Sequence, residues 1–442
     1  MGNKIIKMPD NVKNIIETLE ANGYEAYAVG GCVRDALMGR IPHDWDITTS
    51  ATPMEVKALF RRTIDTGIKH GTVGVVTEEG VVEITTFRTE GGYQDNRHPE
   101  WVKFVPNIEQ DLARRDFTVN AMAYSPKRGF ADPFGGREDL KNHILRAVGE
   151  PELRFREDSL RILRGARFAV KYQLEPDAAT EEAMVELAPL MDNLARERVW
   201  DELCKLILLA DAEDLLRFAP VITQVIPELA PLIGFDQKNR HHIYDIYTHT
   251  AQVVQAVPQE LTLRWAALLH DIGKPASFTL GEDGQGHFYG HAQISAEMAD
   301  AVLRRLKAPA ALRERTVLLI DKHMVWLEVS SRSIRRWISR LGMEAMDQLM
   351  ILQEADTGGK GTENPSENPY FSRIQAIIRQ IKEDNTCLTL KDLAVNGHDL
   401  MALGHKGKAI GENLNRLLGL VLDETIPNEK AALLAALQED TL

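Results

Sequence analysis

The chain has 442 residues, of which 44% are hydrophobic and 26% charged, as in an ordinary globular protein with two to four domains. Its three cysteines are far apart, which excludes a disulfide framework and a zinc site and indicates a reducing, cytoplasmic setting. We find no signal peptide and no apolar run near the roughly 20 residues of a membrane span, so we expect no membrane partner. The net charge of −13 argues against a nucleic-acid partner only if it is evenly spread.

Helices and strands alternate over the N-terminal third of the chain, which predicts one α/β unit on a small sheet. Apolar runs and turn residues set the bounds of these elements. The predicted helices are 10–22, 33–38, 53–60 and 138–141, and the predicted strands are 26–29, 63–65, 72–77, 81–86 and 143–147.

A glycine pair follows the first predicted strand. Gly30 and Gly31 form a tight turn, because only glycine takes positive φ without steric cost and lets backbone approach a ligand. The turn opens a helix, whose free N–H groups and dipole favour an anion. Arg34 adds a charged group for a phosphate.

Two acids follow that helix. Asp44 and Asp46 are two residues apart, so on a strand both carboxylates point to the same face. Two carboxylates beside a phosphate site suit Mg²⁺, which prefers oxygen ligands and keeps positions for substrate phosphates. The order of glycine turn, arginine and paired aspartates predicts two-metal phosphoryl transfer, while a loop with solvated acids is the alternative.

The stretch GGCVRDALMGRIPHDWDITTSATP resembles the signature of class II CCA-adding enzymes and of their relatives, the bacterial poly(A) polymerases. The resemblance implies a third acid on a nearby strand, for which Glu83 is the candidate, although an exposed strand face would also explain it. The polar segment 88–101 resembles the flexible loop that helps the family switch from C to A addition. RRDFTVNA matches the next family motif, in which Arg115 pairs with triphosphate, Asp116 orients it or a helix, and Asn120 bonds ribose or backbone.

A helix is predicted over 154–171, where Asp158 and Arg161 would be i, i+3 neighbours. One acceptor beside one donor matches the pairing edges of cytosine and adenine, while uracil and guanine present the reverse order. The resemblance likewise makes EDxxR the amino-acid template for base choice. We assign Arg164 and Arg167 to triphosphate or to bracing the template; surface salt bridging is the alternative for the whole set. The ERVWDEL motif at 197–203, which includes Arg198, is interpreted as structural.

A second constellation lies between about 236 and 360. His249, His270, Asp271 and Asp356 follow the HD-superfamily metal pattern, with His287, His291 and His323 between them. Such ligands suit a transition metal such as Ni²⁺ or Mn²⁺, and metal-bound water can attack a phosphate ester. Some CCA-adding enzymes carry such a domain with phosphohydrolase activities, but the motif can also persist as an inactive scaffold.

Two stretches further on are candidates for RNA contact. Between Arg304 and Arg340 stand ten basic and three acidic residues, either a phosphate-binding surface or a solvated helix pair. The segment LAVNGHDLMALGHKGKAIGENL resembles the family's C-terminal part, which is expected to hold tRNA. Its glycine-rich loop at 404–411 either binds phosphate or simply connects helices.

The resemblance covers nearly the whole chain. It implies an α+β protein with a polymerase β-like mixed-sheet head followed by helices, and a tRNA nucleotidyltransferase that adds CCA from CTP and ATP with Mg²⁺. The alternatives are an A-adding enzyme or poly(A) polymerase, or an HD phosphohydrolase. We expect a head at 1–147, a neck with the base-selecting helix at 148–235, an HD domain at 236–360 and a tRNA-binding tail at 361–442.

Overall fold

The computed structural model describes residues 6–93, 99–239, 243–362 and 364–438. The chain forms two compact units. Unit 1 comprises Met1–Ala210 and Arg217–Pro227, and unit 2 comprises Asp211–Leu216 and Glu228–Leu442. The expected α+β class with a mixed-sheet head is confirmed. The finer division into four segments stays a prediction.

Thirteen strands are present in the described part of the chain, and seven of them form the sheet of unit 1. That sheet has the order β3-β4-β5-β2-β1-β8-β9. Only β2 and β5 run parallel, while the other neighbours are antiparallel. The strands are β1 (Ala26–Val29), β2 (Asp46–Thr49), β3 (Thr63–Gly67), β4 (Thr72–Thr77), β5 (Gly80–Thr86), β6 (Arg88–Tyr93), β7 (Pro99–Phe104), β8 (Ala123–Ser125), β9 (Gly129–Ala131), β10 (Ile144–Leu145), β11 (Glu175–Pro176), β12 (Phe278–Leu280) and β13 (Gly286–Phe288).

Helices make up most of the remainder of both units. In chain order they are α1 (Asp10–Ala21), α2 (Gly31–Leu37), α3 (Pro53–Leu59), α4 (Ile108–Ala113), α5 (Gly136–Lys141), α6 (Pro151–Glu157), α7 (Leu160–Tyr172), α8 (Ala178–Glu186), α9 (Arg196–Leu209), α10 (Ala212–Arg217), α11 (Ala219–Val225), α12 (Ile246–Ala256), α13 (Leu261–Leu269), α14 (Lys274–Ser277), α15 (His291–Arg305), α16 (Ala310–Lys322), α17 (Ser331–Leu341), α18 (Met343–Gly359), α19 (Pro369–Glu383), α20 (Gly397–Ala402), α21 (Lys408–Leu422) and α22 (Lys430–Gln438). No helix in the described ranges is long and apolar enough to cross a membrane.

The centre of the unit 1 sheet is held by burial on both faces. All four residues of β1 are buried, which explains their continuous apolar run. Phe87 at the end of β5 is fully buried and packs against Tyr27, with ring centroids 6.4 Å apart. Leu112 of α4 belongs to the same apolar cluster, so the sheet and α4 share one core. The carboxylates at the edge of β2 therefore project from a rigid base.

Segment 88–101 was predicted to be a loop, and this prediction was wrong. Two antiparallel strands, β6 and β7, pair there in a ribbon separate from the main sheet. Residues 94–98 of the expected loop lie outside the described residues. The expected last strand, 143–147, is also different, because β10 pairs with β11 in a short parallel ladder instead of joining the main sheet. The strands β8 and β9 complete that sheet and were not predicted.

The single helix predicted over 154–171 is two helices in the structure. α6 ends at Glu157, and Asp158 takes an extended conformation with φ −142° and ψ 101° before α7 begins at Leu160. Phe117 fixes both helices, because its ring lies 6.4 Å from that of Phe155 in α6 and 5.8 Å from that of Phe168 in α7. The break places Asp158 outside any helical face.

Candidate active site

Two of the predicted acids are neighbours across the parallel pair of strands. Asp46 is the first residue of β2, and its Cα partner on β5 is Glu83, so both side chains lie on one face of the sheet. Asp44 precedes the strand, so the prediction that it lies on β2 was wrong. All three acids are exposed to solvent and line one cleft of about 530 Å³. In the described residues they do not form a set with all ligand atoms within 4.8 Å of one another.

The charges in this cleft repel one another. The pKa of Asp46 is raised, first by desolvation and then by the negative charges of Glu83 and Asp44, while Arg115 acts in the opposite direction. Ionised carboxylates held this close repel one another, and a hard divalent cation bound between them relieves that repulsion. The donor set therefore fits Mg²⁺, with oxygen ligands open to solvent and room for a substrate.

The glycine turn lies against Arg115. Gly30 has φ 80°, and a Cβ there would lie 2.7 Å from Nη1 of Arg115. Glycine is needed at this position both for the backbone angle and for the close approach of the guanidinium. Arg115 is partly exposed and also lies 3.7 Å from the buried carboxylate of Asp111. The Arg115 guanidinium thus lies between the glycine turn and the acids, where we expect a triphosphate to bind.

Arg34 is placed differently from the prediction. Its guanidinium is buried and donates hydrogen bonds to Asp35, to the Asn120 side chain and to the Tyr172 hydroxyl. It also lies over the Tyr172 ring, 4.0 Å from the centroid. Binding a phosphate would require it to leave these partners, so we assign Arg34 to holding α2 against α7.

Asp116 and Asn120 extend the hydrogen-bond network that begins at Arg34. The Asn120 amide donates to Asp116 at 3.0 Å, and Arg164 of α7 donates to the same carboxylate at 2.6 Å. Burial opposes the charge of Asp116, but Arg164 and the Asn120 hydrogen bond hold its pKa well below the usual value. Arg167 pairs with buried Glu202 of α9. These contacts tie α7 to Asp116 and to α9, and the two roles predicted for Arg164 and Arg167 stay predictions.

The proposed template residues are close in sequence but bind different partners. Asp158 accepts hydrogen bonds from Arg198 of α9 at 2.8 and 3.3 Å. Arg161 donates to Glu157 at 2.8 Å and to the Arg114 carbonyl at 2.9 Å. The prediction that they share a helix face was wrong, because Asp158 lies in the break before α7. Arg198 was missed because its motif was interpreted as structural, although an arginine in ERVWDEL was the available signal.

The second constellation comes together inside unit 2. His249, His270, Asp271 and Asp356 are buried and place one ligand atom each within 4.8 Å of one another. His249 Nε2 lies 3.0 Å from Asp356 Oδ1, and His270 Nε2 lies 3.1 Å from Asp271 Oδ2. Burial lowers the pKa of His270, but the two aspartates outweigh it and raise that pKa to about 10. Imidazole and carboxylate donors at this spacing fit a divalent transition metal.

A second group shares Asp271. Asp271, His291 and His323 are buried, and their ligand atoms also lie within 4.8 Å of one another. Asp271, Asp356 and His291 line a cavity of about 260 Å³, together with Lys274 and Lys360. His287 also lines the cavity but belongs to neither group. The cavity is thus lined by two lysines and two aspartates and is large enough for a phosphoryl group.

Four family models match consecutive parts of the chain. They are the Poly A polymerase head domain over residues 26–146, the probable RNA and SrmB-binding site of polymerase A over 173–233, the HD domain over 241–357, and the putative tRNA nucleotidyltransferase domain 2 over 364–437. Their order is that of the motifs found in the sequence.

Individual proteins show the same likeness, two of them over nearly the whole chain and one over about half of it. The CCA-adding enzyme of Lactiplantibacillus plantarum is 34% identical over 437 residues, covering 96% of this chain and 94% of that enzyme. A match to the CCA-adding enzyme of Lactobacillus helveticus is 50% identical over 206 residues, which are 46% of this chain and 52% of that enzyme. The crystal structure of the Bacillus stearothermophilus CCA-adding enzyme in complex with CTP has a TM-score of 0.72 at 30% identity, with 98% of each chain covered. The chain therefore belongs to the family of CCA-adding enzymes, which are tRNA nucleotidyltransferases.

Proposed function

We propose that this protein adds C, C and A to the 3′ end of tRNA from CTP and ATP, without a nucleic-acid template. The observation that carries the proposal is the pairing of Asp46 with Glu83 at the edge of a cleft that also holds Asp44. Arg115 lies beside the glycine turn next to these acids. Family membership supports the same activity.

The head acids would hold two Mg²⁺ ions. When bound, magnesium supplies a lowered pKa for the attacking 3′ hydroxyl and neutralises charge on the leaving pyrophosphate. Asp44 and Asp46 would be the principal ligands, and Glu83 would add a third carboxylate from the adjacent strand. The open cleft leaves room for the water or phosphate oxygens that magnesium retains in such sites.

Arg115 would hold the triphosphate. Its guanidinium is partly exposed, and Gly30 leaves it the space to reach a phosphate close to the backbone of the turn. Arginine binds phosphate through two parallel N–H groups, which fixes orientation as well as adding affinity. Gly31 begins α2 directly behind this turn. The residues Asp116, Asn120 and Arg164 would act through the orientation of α7.

Asp158 and Arg161 would choose the base. A carboxylate accepts from the exocyclic amino group of cytosine or adenine, and a guanidinium donates to the neighbouring ring nitrogen. Both side chains are held by the protein, Asp158 by Arg198 and Arg161 by Glu157. A nucleotide would bind to the remaining acceptor and donor positions or replace one of these partners.

The test uses purified protein and tRNA that ends just before CCA, with labelled CTP, ATP or both. We expect two C residues from CTP alone and a complete CCA end with both nucleotides. Asp44→Ala and Asp46→Ala should abolish incorporation. Asp65→Ala is the matched control, because Asp65 is an exposed acid on β3 of the same sheet and pairs with Lys57. Long A tails would instead indicate a poly(A) polymerase, and A addition without C would indicate an A-adding enzyme.

The buried histidine and aspartate groups favour a second activity, metal-dependent hydrolysis of phosphate esters in unit 2. His249, His270, Asp271 and Asp356 would hold the metal, and Lys274 lines the adjoining cavity. Hydrolysis of a chromogenic phosphodiester in the presence of Ni²⁺ or Mn²⁺ tests this. Activity that persists in Asp44→Ala but is lost in Asp356→Ala would assign it to unit 2, and a protein inactive with either metal would rule it out.

A further inference from the structure

A second groove of unit 1 adjoins the cleft that holds the three acids. It lies between the segment before α1 and the loop that joins α2 to β2, has a volume of about 520 Å³, and shares Pro9, Pro42 and Trp45 with the cleft. We propose that this groove binds the unpaired 3′-terminal nucleotides of the RNA that is extended, with a base stacked on Trp45. The inference rests on the proposed function, because it names where the RNA end binds for that reaction.

The groove is apolar and open to solvent. Met8, Pro42 and Trp45 line it, together with Ile41. Ile41 is 86% exposed, more than any other large hydrophobic residue in the described part of the chain. Single exposed apolar residues are common, but several around one groove indicate a surface that a ligand covers. The volume lies within the roughly 300–1,000 Å³ of pockets that bind small molecules, so one or two nucleotides would fit.

The charges of the groove favour an anionic ligand. Lys7 and Arg40 line it and are exposed, and no acidic residue borders it in the described ranges. The adjoining cleft differs, since its lining includes Asp44, Asp46 and Glu83. Two cations beside an apolar surface are the combination that holds single-stranded nucleic acid, because the phosphates pair with the charges and the bases stack on aromatic rings.

Trp45 connects the groove to the acids. It stands between Asp44 and Asp46 in the sequence, and consecutive Cα atoms are only about 3.8 Å apart. A base stacked on its indole would therefore bring its ribose to the carboxylates that are proposed to hold magnesium, where the 3′ hydroxyl attacks. Of the described residues, neither Gly30 nor Arg115 lines the groove. The RNA end and the triphosphate would thus bind to different surfaces beside the same acids.

The groove suits a base whose identity changes. Under the proposed function the terminal base of the RNA differs before and after the first addition, so its subsite must accept more than one base. The described lining offers apolar surface and hydrogen-bond donors, but no carboxylate, amide or hydroxyl side chain. Stacking tolerates every base, since each has a π-face. The groove would hold the RNA end without selecting a base, which leaves that choice to the pair proposed at Asp158 and Arg161.

A fluorescent RNA end tests the stacking directly. Truncated tRNA that ends just before CCA carries 2-aminopurine as its 3′ base, whose emission is quenched when the base stacks on an indole. The full-length protein is added to saturation without any nucleotide. We expect the emission of the Trp45→Ala complex to be severalfold higher than that of the unmodified complex, because the indole is the quenching surface.

Kinetics distinguish stacking from structural damage. Trp45→Ala should lower kcat/KM for truncated tRNA about 10- to 100-fold, the loss expected for one stacked base, and leave KM for CTP unchanged. Trp45→Phe should recover most of the loss, because it keeps an aromatic face. Ile41→Asp changes a residue too exposed to affect folding, and it should raise KM for tRNA about tenfold by placing a negative charge near the phosphates.

Met54→Asp is the matched control. Met54 is 69% exposed, lies in the first turn of α3, and is not among the described residues that line the groove or the cleft. It should change neither the emission nor KM for tRNA. An unmodified protein that extends tRNA, with equal emission in the Trp45→Ala complex, would overturn this inference and leave the proposed function intact.

Two further outcomes are distinct. An unmodified protein that adds no nucleotide to tRNA would overturn the proposed function, while the emission, which is measured without nucleotide, would still decide where the RNA end binds. An Ile41→Asp protein that changes its oligomeric state and keeps its KM for tRNA would show that the groove is a contact between copies of the chain, and this would overturn the inference.

Discussion

Arg198 holds Asp158 by two hydrogen bonds, from Nη1 at 3.3 Å and from Nη2 at 2.8 Å. The two residues are 40 positions apart in the sequence, and Asp158 lies outside any helix. A carboxylate that lies between two helices has many accessible rotamers unless a partner fixes it. If Asp158 selects the base as proposed, Arg198 would act as the positioning residue of its carboxylate.

Arg198→Ala should weaken base selection more than it weakens chemistry. We expect kcat/KM for CTP and ATP to fall about 10- to 100-fold, since a good base contact discriminates by about 1–3 kcal/mol. Misincorporation of UTP should rise relative to CTP. Steady-state kinetics with each nucleotide on truncated tRNA measure both effects, and Arg198→Lys should recover part of the selectivity by restoring a charge.

Arg196→Ala is the matched control for this prediction. Arg196 lies on the same first turn of α9 and donates to the Asp192 carbonyl. It should leave both the rate and the selectivity unchanged. An Arg198→Ala enzyme that loses only kcat, with the preference for CTP over UTP intact, would contradict the positioning role and indicate a structural one.

The Gly30 turn allows a test of the phosphate site. In Gly30→Ala the new Cβ would contact Nη1 of Arg115, which is the end of a flexible side chain and can move away. The displaced guanidinium would no longer lie beside the turn, so we expect KM for CTP and ATP to rise about tenfold. Nucleotide titrations of incorporation rate measure this change.

Backbone strain needs its own control, because a positive φ costs a non-glycine residue about 1–3 kcal/mol. Gly39→Ala supplies it, since Gly39 has φ 75° and nothing within 4 Å of its added Cβ. Both variants should lose thermal stability, and only Gly30→Ala should lose nucleotide affinity. Equal losses of affinity in the two variants would show that strain, not Arg115, is responsible.

Sequence patterns located the strands whose side chains are buried in a regular pattern. The strands β1 and β4 were located to the residue, because continuous apolar or β-branched runs bounded by glycine leave few other options. The break at Asp158 was not predicted, because the segment contains no proline and the helix-start signal of Asp158 and Ser159 was not used. What holds Asp158 outside the helix is an ion pair with a residue of another helix.

In the candidate site, too, local patterns predicted some residues, whereas the roles of others depend on contacts that form only in the folded chain. A motif predicted the acids of the cleft because they lie within one short segment, and Glu83 followed from its place in an apolar strand. The roles of Arg34 and Arg198 depended on partners such as Tyr172 and Asp158, which only the folded chain brings near. His291 and His323 are 32 positions apart in the sequence, and no helix or strand periodicity relates either of them to Asp271. Only the folded chain shows that the three side chains lie together.

Asp46→Asn should stabilise the metal-free protein while it removes activity. The pKa of Asp46 is higher in the folded chain than in the unfolded one, so the folded form binds the proton more tightly. The free energy of unfolding therefore rises as pH falls through that pKa, and ionised Asp46 costs stability at neutral pH. A neutral amide removes this cost. Solvent screening keeps it small, and we expect a melting temperature higher by about 1–2 °C.

Differential scanning fluorimetry with and without Mg²⁺ measures this. Magnesium should raise the melting temperature of the unmodified protein and have little effect on Asp46→Asn. Asp65→Asn, which breaks the exposed pair with Lys57, should show no stabilisation and keep the magnesium response. A metal-free Asp46→Asn protein that melts below the unmodified one would contradict the assignment of repulsion to this cleft.

The basic stretch from Arg304 to Arg340 is mostly neutralised within unit 2. Arg305 pairs with Glu228 through both terminal nitrogens, and Asp423 accepts from both Arg332 and Arg336. The local excess of positive charge seen in the sequence is therefore compensated by acids from other segments. Seven of the ten basic residues have such partners, namely Arg304, Arg305, Arg313, Arg315, Arg332, Arg335 and Arg336. Lys322 pairs with Asp321 inside the stretch.

Arg305→Ala should accordingly leave the salt dependence of tRNA binding unchanged. Each phosphate contact contributes roughly 0.7–0.9 to the slope of log affinity against log salt concentration, because binding releases counterions. An arginine engaged with Glu228 contributes none, so the slope should be the same in the variant while the melting temperature falls slightly. Filter binding of tRNA over a series of KCl concentrations measures the slope. A decrease by one such increment would mean that the pair opens when RNA binds and that the arginine then contacts phosphate.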